Sequence, residues 1–211
     1  MHVIRTGVFG VNTLIVEIPG ADRKQCLVVD PAACPLSRDE TKITDYLKAK
    51  KLECAGIVLT HSHFDHITGI APVKSAFPKS QIFIHEAEAM ELSSPPGPMN
   101  QSVLQFFGAP EILSEVAKQP AADVLVREGS DIFGWKVIHT PGHSPGSICL
   151  YNKNENTLIS GDTLFDYGGY GRTDMYGGDE ATIRHSLSHL KEVIPSGTIV
   201  YPGHDSFGFK F

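Results

Sequence analysis

No C-x-x-C pair occurs among the four cysteines of this 211-residue sequence, Cys26, Cys34, Cys54 and Cys149. They are scattered, mostly in apolar segments, and are expected as reduced core residues rather than as disulfides. No apolar run approaches membrane-spanning length. Nor does the N-terminus, Met1-His2-Val3-Ile4-Arg5-Thr6-Gly7, carry a basic region followed by an apolar stretch and a small-residue cleavage site. A soluble, unexported, cytoplasmic protein is expected. Positive charge is also short: 18 Lys and Arg against 24 Asp and Glu give a formal charge of -6 and a pI near 5.9. That balance offers no broad cationic face to a nucleic acid backbone, so neither nucleic acid nor a membrane is expected as a partner. There is no low-complexity block. With 41% hydrophobic and 20% charged residues, the chain is expected to form one globular domain over residues 1–211, of undetermined oligomeric state.

What is present is a set of four polar motifs, each following a run of apolar, β-branched residues. Ile57-Val58-Leu59-Thr60 leads into His61-Ser62-His63-Phe64-Asp65-His66, and Trp135-Lys136-Val137-Ile138 into Thr140-Pro141-Gly142-His143. Thr157-Leu158-Ile159-Ser160 leads into Gly161-Asp162, and Thr198-Ile199-Val200-Tyr201 into Pro202-Gly203-His204. Each reads as a buried strand that stops at a turn and presents His or Asp there. If the strands share an edge, their ends build one site from His61, His63, Asp65, His66, His143, Asp162 and His204. Imidazole and carboxylate suit zinc, iron or manganese, and the lack of Cys in all four motifs argues for an open, catalytic metal site. A single histidine at a strand end is usually a turn residue. Three with an aspartate in six positions gain nothing for a core, and metal binding is the better reading.

The rest of the sequence supplies alternating strands and helices. Strands are expected at Asn12 to Ile18 and Gln25 to Val29, joined by a Pro19-Gly20 turn, with Asp30-Pro31 ending the second. Ser37-Arg38-Asp39-Glu40 is a capping-box pattern for a helix carrying Ile43, Tyr46, Leu47 and Lys50. A helix from about Ile67 to Phe77 precedes a strand from Gln81 to Ile84. Ser93-Ser94-Pro95-Pro96-Gly97-Pro98 is read as irregular, separating two halves or forming a lid beside the site. The second half is expected to begin with strands around Asp123 to Val126 and Ile132 to His139. A strand pair, Ser147 to Tyr151 and Thr157 to Ser160, is joined by turn residues 152–156. A helix from Asp179 to Ile194 has Ile183, Leu187, Leu190 and Ile194 on one face.

Some polar residues read as bystanders. His185 and His189 stand at i,i+4 but off that apolar face, with no Glu after His185, and a solvated helix face is the better reading. His85 ends a strand near the site and is read as structural or supporting. Gly168 to Asp174 matches no nucleotide-binding pattern; Arg172 and Asp174 are expected to fix a tight loop. Tyr167, Tyr170 and Tyr176 are expected to line a pocket or pack that loop.

The motifs in this order resemble the metallo-β-lactamase superfamily, specifically its small glyoxalase II-like members. The resemblance is carried by an Asn12-containing strand, Val29-Asp30-Pro31, T-H-S-H-F-D-H, T-P-G-H-S-P-G-S, S-G-D-T-L-F, G-R-T-D and Y-P-G-H. It implies an α/β fold, a four-layer αβ/βα sandwich of two face-to-face sheets with helices outside, and a dinuclear site at one sheet edge. His61, His63 and His143 would hold the first metal, and Asp65, His66 and His204 the second, with Asp162 bridging. Two divalent ions are implied, zinc ahead of iron or manganese.

Two such ions can share a water and bring its pKa towards about 7, giving a bridging hydroxide that Asp65 is placed to orient as the catalytic carboxylate. The expected reaction is hydrolysis of a small-molecule thioester, such as a glutathione thioester of a 2-hydroxy acid. Larger glyoxalase II enzymes carry a C-terminal helical domain that helps bind glutathione; it is expected to be missing here, since seven residues follow His204. The rivals are a persulfide dioxygenase, with one iron on His61, His143 and Asp162, and a lactonase. A β-lactamase is disfavoured by Asp162, a bridging carboxylate those enzymes lack, and a non-catalytic metal-sensing domain stands further back.

Overall fold

The structure is a computed structural model and describes residues 1–20, 24–108 and 110–211. The first sheet takes β1 (His2–Thr6), β2 (Val11–Ile18), β3 (Gln25–Val29), β4 (Glu53–Val58), β5 (Gln81–His85) and β6 (Val124–Val126), neighbours in that order. The second takes β7 (Asp131–Ile132), β8 (Trp135–His139), β9 (Ile148–Asn152), β10 (Thr157–Gly161), β11 (Ile199–Pro202) and β12 (Phe209–Lys210), again side by side in sequence order. β3 to β6 run parallel, as do β10 and β11. Their near-continuous apolar runs fit strands covered on both faces.

Three apolar clusters define the layers. Leu14, Val16, Leu27, Val29, Val58, Trp135, Val137, Leu150 and Ile159 pack between the sheets. The opposite face of the first sheet, through Ile15, Val28, Ile57 and Ile82, meets α1 (Lys42–Lys50), α2 (Phe64–Ile67), α3 (Ile70–Ala76), α4 (Pro98–Phe107) and α5 (Pro110–Val116). The outer face of the second sheet, through Cys149, Leu158 and Val200, meets Leu190 of α6 (Glu180–Val193) and Ile194 just beyond it. This is the four-layer αβ/βα sandwich. All four cysteines are free and buried, and among the described residues no helix is long and apolar enough to cross a membrane.

Several boundaries differ from those expected. Ser37 caps no α-helix: Pro35–Ser37 forms its own 3-10 turn, Arg38 breaks it in the left-handed region at φ 57°, and α1 begins after Thr41. Asp39 of that pattern instead accepts from the amides of Gly7 and Cys34. The helix expected over 67–77 starts only at Ile70, Ile67 being the last residue of α2. Thr68 and Gly69 interrupt it, because the Gly69 amide and the Thr68 hydroxyl bond to the carbonyls of Pro31 and Ala32. β6 belongs to the first sheet, not to the second half. Within the proline-rich segment Pro98 opens α4; α4 and α5, unforeseen, follow it as cover for that sheet.

The turn before His143 depends on Gly142. Its φ is +128°, and a Cβ there would lie 2.3 Å from the Ile183 amide nitrogen and 2.5 Å from the Ile183 Cα, in the first turn of α6. The carbonyl of Gly142 accepts from Asp179, the residue whose carboxylate caps that helix at Thr182. Gly142→Ala is therefore expected to destabilise the fold by roughly 2 kcal/mol or more, read as a lower urea midpoint at unchanged slope.

Candidate metal centre

His61 and His63 leave the end of β4, and α2 begins immediately after, so its first turn carries Asp65 and His66. His143 follows β8, Asp162 follows β10 and His204 follows β11. All seven residues converge, but on a rim made by both sheets rather than on the edge of one. Three groups of donors have their atoms within 4.8 Å of one another: His61 with His63 and His143, His61 with His66 and Asp162, and Asp65 with His66 and His204.

The nitrogens face each other closely. His63 Nδ1 lies 2.9 Å and His61 Nε2 3.3 Å from His143 Nε2, while His66 Nε2 and His204 Nε2 are 3.2 Å apart. Donors about 2.0 Å from a tetrahedral ion stand about 3.3 Å from one another, so these spacings fit a shared cation. The Asp162 carboxylate lies between the groups. Its Oδ2 is 3.6 Å from both His143 Nε2 and His204 Nε2, and its Oδ1 is 3.6 Å from His66 Nε2. Oδ1 is buried and has no hydrogen-bond partner, an orphaned acceptor that a cation would satisfy.

Hydrogen bonds on the far side of each ring fix which nitrogen faces inward. His143 Nδ1 donates to the Arg172 carbonyl at 2.7 Å, and His66 Nδ1 to Asp30 Oδ2 at 3.1 Å. The Thr60 hydroxyl donates to Asp30 Oδ2 at 2.7 Å, which leaves its oxygen to accept from His61 Nδ1 at 3.1 Å. All three rings thus turn Nε2 into the cluster. Asp30 Oδ1 also accepts from the Thr60 amide at 2.8 Å. This buried aspartate sits at φ 50°, a left-handed conformation that Asp tolerates better than most residues. Its role could not be read from the sequence beyond its place in Val29-Asp30-Pro31.

Burial, then the neighbouring imidazoles, hold His61 and His63 well below the usual histidine range, so both are neutral and ready to coordinate. Burial also opposes charge on His66, but Asp162, Asp65 and Asp30 raise it to about 10. For Asp65, burial pushes upward and is outweighed by His66 and His204, which hold its carboxyl below the usual carboxylate range. A cation at this end therefore competes with a proton on His66.

The cluster opens into a cavity of about 370 Å³ with largely apolar walls, including Phe9, Phe64, Val103, Phe165 and Met175. Arg172 lies at its edge, its guanidinium bonded to Asp174 at 2.7 and 2.8 Å, the local clasp expected of that loop. Tyr167, Tyr170 and Tyr176 are not among the residues lining this cavity; Tyr170 bonds to Glu180. His185 and His189 border a separate depression, and His85 stacks on His139, 4.0 Å between ring centres. Asn12 was expected only as part of a strand. Its side chain donates to the carbonyls of Pro202 and Asp205, and its amide to that of Gly203, so it holds the turn that bears His204.

Asp162→Ala is expected to lower metal content below two ions per chain, by elemental analysis of metal-reconstituted protein, because two cations would lose the charge between them. His185→Ala and His189→Ala are expected to leave that stoichiometry unchanged.

Comparison with known proteins agrees with this geometry. The profile described as the metallo-beta-lactamase superfamily matches residues 6–204. A probable metallo-hydrolase of Bacillus subtilis, YqgX, is 35% identical over 183 residues, covering 85% of this chain and 80% of its own. A hydroxyacylglutathione hydrolase of Pelagibacter ubique is 30% identical over 193 residues, covering 87% of this chain and 67% of its own. Among solved structures, the BLEG-1 B3 metallo-beta-lactamase superposes with a TM-score of 0.83 at 31% identity, over 99% of this chain and 93% of its own. With the profile spanning nearly its whole length and the donor residues gathered at one rim, the chain belongs to the metallo-β-lactamase superfamily.

Proposed function

We propose that the protein is a hydrolase using two divalent ions, zinc first among them, to cleave a small-molecule thioester of the hydroxyacylglutathione type. The observation that carries this reading is the doubled donor set. His61, His63 and His143 form one group, Asp65, His66 and His204 another, and Asp162 lies between. A single iron on His61, His143 and Asp162 would use only part of this donor set, whereas two ions would use all of it. The names of the Pelagibacter and Bacillus relatives point the same way.

Two ions bound here would bring the pKa of a shared water towards about 7 and polarise a carbonyl oxygen. The protein's own part is to hold and exclude. His61 and His63 supply neutral imidazoles, and Asp162 the carboxylate between the groups. The carboxylate of Asp65, with Oδ2 3.3 Å from His204 Nε2, stays ionised and can orient an attacking water. Phe9, Phe64, Phe165 and Met175 line an apolar approach in which thioester carbon and sulfur displace water. A thiolate leaves without a dedicated acid because its conjugate acid has a pKa near about 8.5, whereas an amide nitrogen needs protonation. This separates the reading from β-lactam hydrolysis, which the name of the BLEG-1 neighbour assigns to that protein.

Metal-reconstituted enzyme is expected to cleave thioesters faster than lactones, and both far faster than β-lactams, with chelation abolishing all three. Asp65→Asn should lower kcat by about 100-fold or more while circular dichroism stays that of the parent. Parallel assays of thioester cleavage and of oxygen uptake with glutathione persulfide decide the class. Oxygen uptake with iron, and negligible thioester cleavage under every metal tried, would establish the dioxygenase instead.

A further inference from the structure

Two glutamates outside the donor cluster, Glu88 and Glu91, are buried in the helical turn that follows β5. Glu88 Oε2 accepts from both the amide and the hydroxyl of Ser62 at 2.6 Å, and its Oε1 accepts from the Gly146 amide at 2.7 Å. Ser62 stands between His61 and His63, and Gly146 lies three residues beyond His143. One carboxylate therefore ties together the two loops, one from each sheet, that carry the three-imidazole group.

The surroundings are shaped for that contact. A Cβ on Gly146 would lie 2.8 Å from Glu88 Cγ and 3.0 Å from its Cδ, so any larger residue would push the carboxylate away. Ser62 is held from its other side as well: its carbonyl accepts from Asn100 Nδ2 at 2.8 Å. Asn100 is fixed in turn by Glu91, which accepts from the amides of Met99 and Asn100 at 3.0 Å each. A buried carboxylate loses hydration that only well-placed donors restore, and an apolar residue would fill the same space at lower cost. What an apolar residue could not do is fix the distance between two polar loops.

We propose that Glu88 is a positioning residue for metal binding, setting the separation of His61 and His63 from His143. This rests on the reading that these three histidines hold an ion. Glu88 acts through Ser62 and Gly146, to which its carboxylate bonds. In Glu88→Gln the side-chain amide group must face an N–H donor in one of the two loops, where donor opposes donor and the loops part.

The test is zinc binding, not turnover. Metal-stripped parent, Glu88→Gln and Ser62→Ala proteins are titrated with zinc against a chromogenic chelator to give two stepwise constants, with cobalt(II) absorption reporting coordination geometry. Glu88→Gln is expected to weaken one constant by about 10- to 100-fold and leave the other within about threefold, with an altered cobalt band. Ser62→Ala, which removes one of the three donors, should weaken the same constant by less, and the double variant should lose less than the sum. Unchanged constants in a folded Glu88→Gln protein overturn the proposal, as does an equal loss at both. If Glu88→Gln does not fold, Ser62→Ala decides alone by the same criterion. A parent that binds two zinc ions but cleaves no thioester would sink the functional proposal and leave this one standing.

Discussion

The segment that leaves β4 for α2, which carries four of the seven candidate donors, is ordered by the carboxylate of Asp30. That carboxylate accepts from the Thr60 amide, the Thr60 hydroxyl and His66 Nδ1, and Thr60 in turn orients His61. A buried carboxylate must find donors, and these three sit on the segment that leaves β4 for α2. Satisfying Asp30 therefore folds that segment, selects the tautomers of two histidines and aims one ring at each half of the cluster. Because His61 and His66 both answer to the same side chain, the two donor groups form one object with a common reference point.

The parts of this arrangement that the sequence made legible are those that repeat a local rule. Apolar, β-branched runs ending at Thr60, Ile138, Ser160 and Tyr201 marked strands, and the histidines and aspartates after them marked a rim. These inferences needed only the periodicity of a buried strand and the chemistry of the side chains. What escaped were features set by contacts distant in sequence. Asp30, Glu88 and Asn12 look like ordinary strand or turn residues until the fold delivers their partners. Gly69 sits inside a run of good helical spacing, yet its amide is claimed by Pro31. The Ser37 pattern had the composition of a cap and lost to Cys34, Pro35 and Asp39 next to it. The prolines at 95, 96 and 98 drew attention to a loop and hid that the last of them opens α4.

Charge in the centre is arranged as opposition rather than as simple attraction. Burial strips protons from His61 and His63, while the carboxylates around His66 draw one in. One end of the cluster thus offers bare lone pairs and the other a proton held among acids. The apolar walls above keep these groups from being levelled by bulk water.

The bonds from Asn12 to the Pro202 and Asp205 carbonyls join positions almost two hundred residues apart, and they carry a consequence for the order of assembly. Asp65 and His66 are made early, but the group they form with His204 closes only when the turn after β11 finds a strand made at the outset. Such long closures are formed late. The donor group of Asp65, His66 and His204 is therefore expected among the last parts of the candidate centre to assemble.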